Sequence, residues 1–197
     1  FLQTGLAAAH GEHEAAAAAL HQLAEDPGRF DDLTAEHAYL VTHARILCAA
    51  ALCDDDLHVQ SLPLWEKVFD ALDGPGDGTE FDDTLRVLAG TGYGRFCVET
   101  GRLTEAEPWL RRAGARALAR GWDLATARTE LERATAAWAA GDRARAQDLV
   151  HGAYPVIAEH ARAHDVSRSW LYFGLISISV GALDDADERL SHAERHW

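Results

Sequence analysis

Apolar residues recur along this chain with the spacing of a helix, and the pattern then repeats at a longer interval. The stretches CVETGRLTEAEPWL (97–110), WAAGDRARAQDLV (138–150) and ISVGALDDADERL (178–190) align on Gly101, Gly141 and Gly181. Five residues on stand Ala106, Ala146 and Ala186, and nine on stand Leu110, Val150 and Leu190. Twelve on come Ala113, Ala153 and Ala193, and seven before the glycine stand Gly94, Ala134 and Gly174. A fixed period of this kind is the mark of a repeat in which each unit buries its apolar face against the next. Within a unit, the glycine ends one helix in a left-handed conformation that costs little without a Cβ. Thr104 and Glu105, Asp142, and Asp184 and Asp185 then open the next helix, where negative charge suits the dipole. The small residues let the two helices approach, and the aliphatic residue four positions later fills the seam.

The pattern extends towards the N-terminus. Gly11, Ala16, Leu20 and Leu23 form a fourth copy. Residues 33–73 fill the interval, with CDDD (53–56) as the turn and Leu62, Trp65, Val68, Phe69 and Leu72 at helical spacing before Gly74. The units predicted are 1–26, 33–73, 82–120, 123–163 and 166–197, with interrupting loops at 25–32 and 73–83. The expectation is one all-α domain over 1–197, an α-solenoid of about five antiparallel helix pairs wound as a right-handed superhelix.

Composition narrows this further. The chain has 197 residues, is 48% hydrophobic, and carries only 5 prolines, which favours helix. It has no apolar run long enough to span a bilayer and no basic leader. Methionine is absent even from position 1, so the sequence reads as a piece of a longer protein. Net charge is −14, which argues against direct contact with nucleic acid. Residues 1–100 carry 5 Lys and Arg against 18 Asp and Glu; the remainder carry 13 against 14. Cys48, Cys53 and Cys97 are odd in number and lack a C-x-x-C pair, so they read as free buried thiols of a reducing cytoplasm.

Six positions of the last unit, Trp170, Phe173, Gly174, Ala186, Leu190 and Ala193, resemble the tetratricopeptide repeat (TPR), with its W-x2-L-G-x2-Y opening and later small and large apolar columns. Tyr93, Gly94, Ala106, Leu110 and Ala113 match the same columns. Residues 127–153 match less fully, because Arg133 stands where a large apolar residue belongs, and the family's helix-closing proline is missing. The period of forty is also similar to that of helical-repeat domains in large ATP-dependent LuxR-type bacterial regulators of the maltose-activator class. That resemblance implies a sensor or interaction segment of a transcriptional regulator. The alternative is a stand-alone adaptor or scaffold.

The candidate sites are weighed in the same light. His10 and His13, His160 and His164, and His192 and His196 are helix-spaced, but no H-E-x-x-H accompanies them, so no metal is expected. DGPGDGTEFDD (73–83) resembles part of a calcium loop, yet Pro75 and Thr84 stand where ligands belong. CDDDLHVQ (53–60) reads as an acidic helix start, and GTGYG (90–94) as close helix packing. No nucleophile motif, phosphate loop or dinucleotide fingerprint is present, so neither catalysis nor a cofactor is expected. The arginines of 111–121 read as a solvated face.

The remaining candidate is the wall of a groove lined by the first helix of each pair: Arg95, Glu99, Arg128, Leu131, Thr135, Trp138, Arg168, Tyr172 and Leu175. Arginine beside aromatic residues is the composition of recognition surfaces. The expected partner is a protein, a peptide or a small effector, with a homodimer through a solenoid end as a further possibility and no membrane contact.

Overall fold

The computed structural model describes residues 35–54, 56–160 and 163–196, together with 22, 25 and 26. The N-terminal copy on Gly11, Ala16, Leu20 and Leu23, and the loop at 27–32, lie outside the described residues. Eight helices with described bounds follow in order: α1 (Ala35–Asp54), α2 (His58–Ala71), α3 (Glu80–Glu99), α4 (Leu103–Ala119), α5 (Asp123–Ala139), α6 (Arg143–His160), α7 (Ala163–Ser179) and α8 (Leu183–His196). No strand occurs among the described residues. The fold is all-helical, and consecutive helices pack as pairs. None of these helices is long and apolar enough to cross a membrane.

The chain divides into two compact units, Phe1–Phe96 and Cys97–Trp197. In the first, α1 packs on α2. Leu64, Trp65 and Val68 of α2 are buried at the four-residue spacing of one helix face. Rings continue that core: Phe69 and Tyr93 lie 4.7 Å apart and Tyr93 and Phe96 5.6 Å apart. GTGYG lies inside α3, as its packing role requires. A Cβ on Gly92 would come within 2.7 Å of the Trp65 ring, so only glycine lets the two helices close there.

Two expectations about this unit are corrected. The acidic run after Cys53 does not open a helix: Asp54 ends α1 and Asp56 occupies a turn at φ 59°. Cys53 itself is buried within α1, and the next helix starts as early as His58 and carries Pro63 inside it, where the Val59 carbonyl goes without an N–H from i+4. The loop from residue 73 is also shorter than predicted, because α3 begins at Glu80.

In the second unit, α4 packs on α5, α5 on α6, α6 on α7, and α7 on α8; α5 also touches α7. The turns have one geometry. Gly101, Gly121, Gly141 and Gly181 all have positive φ between 70° and 83°. In each, the glycine N–H bonds back three residues and the next N–H bonds back five, as Asp142 does to Ala137 at 2.9 Å and Ala182 to Ser177 at 3.0 Å. This is the Schellman closure, which satisfies the last carbonyls of a helix and reverses the chain in three residues. Gly121, which joins one helix pair to the next, uses the same closure and was not foreseen. Asp142 then caps α6, its carboxylate accepting from the Arg145 N–H at 3.2 Å.

The repeat columns are buried as predicted except at Leu190, which is half-buried. Ala106, Ala146 and Ala186, and Ala113, Ala153 and Ala193, are all buried, as are Leu110 and Val150. One core gathers Ala127, Leu131, Ala134, Val150, Ala153, Ile157, Phe173 and Ile176 from α5, α6 and α7.

Candidate functional site

Helices α5 and α7 carry most of the predicted wall. Arg128 and Glu132 lie four residues apart on α5, and Asp165 and Arg168 lie three apart on α7. The two pairs face each other with their charges reversed. Arg128 donates from Nε and Nη2 to Asp165 Oδ2 at 3.0 and 2.8 Å. Arg168 donates from Nη1 and Nη2 to the two oxygens of Glu132 at 2.7 and 2.9 Å, a fork-to-fork geometry.

These pairs differ in depth. The side chains of Arg168 and Glu132 are only 14% and 7% exposed. Burial alone would lower the Arg168 pKa, but the Glu132 charge and its hydrogen bonds outweigh that and raise it, with the Tyr172 hydroxyl adding to the effect. The Arg128 side chain is 40% exposed, so this pair is open to solvent on one side. Both register-matched arginines therefore fasten one repeat to the next, and only Arg128 keeps a reachable edge.

The other wall residues divide similarly. Arg95 pairs with Asp54 in the first unit. Glu99 is exposed near the end of α3. Leu131, assigned to the wall, is instead 1% exposed and belongs to the core, because α7 covers that face of α5. Thr135 returns its hydroxyl to the Leu131 carbonyl at 3.1 Å. Trp138 and Tyr172 are half-buried against the same core, and the Arg143 guanidinium lies 5.8 Å above the Trp138 ring. An aromatic ring with a cation on one face and a core beneath it can bind a partner edge-on.

Sequence reasoning found the two arginines and missed their partners Glu132 and Asp165. The signal was available: R-x3-E on one first helix is followed at the next by D-x2-R, a reversed order that predicts cross-pairing. A second network was also missed. Glu107 of α4 accepts from Arg133 at 3.0 Å and from Arg145 at 2.6 Å, while Arg133 also grips both oxygens of Glu130 at 2.9 and 3.0 Å. Burial would raise the Glu107 carboxyl, but these guanidiniums hold it below its ordinary value. Arg133, out of place in an apolar column, is thus accounted for.

Among the histidines, His10 and His13 and the side chains of His164 and His196 lie outside the described residues. His192 stacks on the Trp170 ring at 4.6 Å, and His160 is exposed 3.6 Å from Glu159. In the loop at 73–79, the Asp77 carboxylate accepts from the N–H and hydroxyl of Thr79 at 2.9 and 2.7 Å, a local turn. The three cysteines are buried and form no disulfide, and burial pushes the Cys48 thiol up to about 11, away from the thiolate that a nucleophile needs. Comparison with protein-family models, with curated proteins and with solved structures found no match to this chain.

Proposed function

We propose that this chain is a non-catalytic helical-repeat module, a TPR-like α-solenoid that holds a protein, peptide or small effector along its first helices. The observation that carries the reading is the forty-residue repetition of one device. Helix, Schellman glycine, helix recurs with the same buried columns, and α5 and α7 are tied by reciprocal ion pairs. Units that bury their faces only against neighbours build extended surfaces, and such surfaces serve recognition. A partner laid along α5 and α7 would meet Trp138, Tyr172, Thr135 and the open edge of Arg128.

The resemblance of the period to that of LuxR-type regulators makes this module the sensor or interaction segment of a bacterial transcription regulator acting in the cytoplasm. The test is to read the gene on both sides of the segment. The reading predicts a phosphate-binding loop upstream and a helix-turn-helix downstream; finding neither would remove the regulator and leave the binding module. Trp138→Ala and Tyr172→Ala would then be examined in capture experiments with the full chain. Partner loss at unchanged melting temperature supports the surface, and undiminished capture by both variants contradicts it.

A further inference from the structure

Three rings meet at the helix pair α7–α8, one contact edge-to-face and one stacked. Tyr154 of α6 lies 5.4 Å from Trp170 of α7, and Trp170 stacks on His192 of α8. One period earlier the same three positions hold Gly114, Glu130 and Gly152. The backbone is the same device, but the rings are gone. What remains between α5 and α6 is an open cavity of about 260 Å³. Its floor is apolar, with Ala127, Leu149 and Val156, and Gly152 opens it to one side. A Cβ on Gly152 would meet no atom within 4 Å.

The rim carries Asp123, Glu130 and Asp148. Glu130 is held by Arg133, whereas Asp123 and Asp148 have no ion-pair partner among the described residues. We infer that this cavity binds a small aromatic amine, whose ring takes the place that Trp170 and His192 fill one repeat later and whose ammonium group faces Asp148, one turn from Gly152 on α6. The ring supplies the dispersion contacts that the bare seam lacks. The charge is selected because two unneutralised carboxylates flank an apolar floor, a combination that favours cations and repels anions. This site lies apart from the α5–α7 wall and does not depend on what that wall recognises.

The experiment is calorimetric titration of the whole chain with tryptamine, indole and indole-3-acetate. Tryptamine should bind about tenfold more tightly than indole, and indole-3-acetate should not bind. Asp148→Asn should weaken tryptamine and leave indole unchanged. Gly152→His restores a ring to the seam and should abolish tryptamine binding. Gly152→Leu fills the same space without a titratable group and serves as the second plug. Absence of tryptamine binding, equal affinity for all three probes, or undiminished binding by both plugged variants would overturn the inference.

Discussion

The pairs α5–α6 and α7–α8 are two solutions of one packing problem. At the tightest crossing, α7 offers Gly174 and α8 offers Leu190, whose Cδ2 and Cγ would lie 2.6 and 2.7 Å from a Cβ on the glycine. The matching residues in the other pair are Ala134 and Val150, both fully buried. Glycine plus leucine and alanine plus valine carry the same number of side-chain carbons. Volume is conserved across the repeat while its division between the helices is not, as close packing demands. Around that crossing the chemistry diverges. Trp170, Phe173 and His192 build a cluster of rings in one pair; Glu130, Arg133 and Gly152 stand at the same positions in the other. The period fixes the backbone and the packed volume, and the seam beside it is free to be apolar, ionic or open.

The largest expected effect would break the tie between the pairs. Glu132→Ala strands a buried guanidinium, and Arg168→Ala a buried carboxylate. Each should cost about 3–5 kcal/mol in urea unfolding. Arg128→Ala, in the half-exposed pair, should cost at most about 1 kcal/mol. Equal losses at the two pairs would mean that burial does not separate them.

Next come the helical glycines. Gly174→Ala forces a methyl into Leu190 and should destabilise by about 1–3 kcal/mol. Gly152→Ala meets open space in the interior of α6, and should stabilise by about 0.5–1 kcal/mol through helix propensity. The same substitution thus has opposite signs in the two pairs, readable as opposite shifts of the urea midpoint.

The shared turn sharpens the comparison from the other side. Gly141 and Gly181 have φ of 83° and 78°. Gly141→Ala and Gly181→Ala should each cost about 1–2 kcal/mol, and equally, because the strain is in the backbone and not in the seam.

The smallest effect concerns pH. The Glu107 carboxyl is held below its ordinary value of 4.5 in the folded chain. Its contribution is therefore present above that value and fades as pH falls through the lower, folded one. The advantage of the native chain over Glu107→Gln should shrink on acidification below 4.5.

Much of this architecture was legible because glycines and alanines at a fixed period have one physical use. Gly101, Gly141 and Gly181 must adopt positive φ, and the alanine columns must face a neighbouring helix. Gly121 escaped notice because it falls between units, where no column aligned it. CDDD was read both as a turn and as a helix start; the turn holds, at Asp56, while burial of Cys53 and Ser61, joined at 3.5 Å, leaves helix on both sides of it. Register placed the proposed wall residues on α3, α5 and α7, but did not set their state. Whether an arginine faces solvent or a carboxylate depends on the tilt of the next helix, which no single helix encodes. The cavity was invisible for a related reason: its lining comes from two helices, and Glu130 and Gly152 there are each merely polar or small.

The central claim is that α5–α6 and α7–α8 are copies of one unit in which a glycine–leucine crossing is equivalent to an alanine–valine crossing. A double-mutant cycle tests it most directly: Gly174→Ala, Leu190→Val, and the two together, followed by urea unfolding. Each single change should destabilise, the first by crowding and the second by leaving a gap. The double variant should return to within about 0.5 kcal/mol of the native chain, a coupling expected only of residues in contact. Losses that simply add would contradict the equivalence and, with it, the reading of the two pairs as one repeated unit.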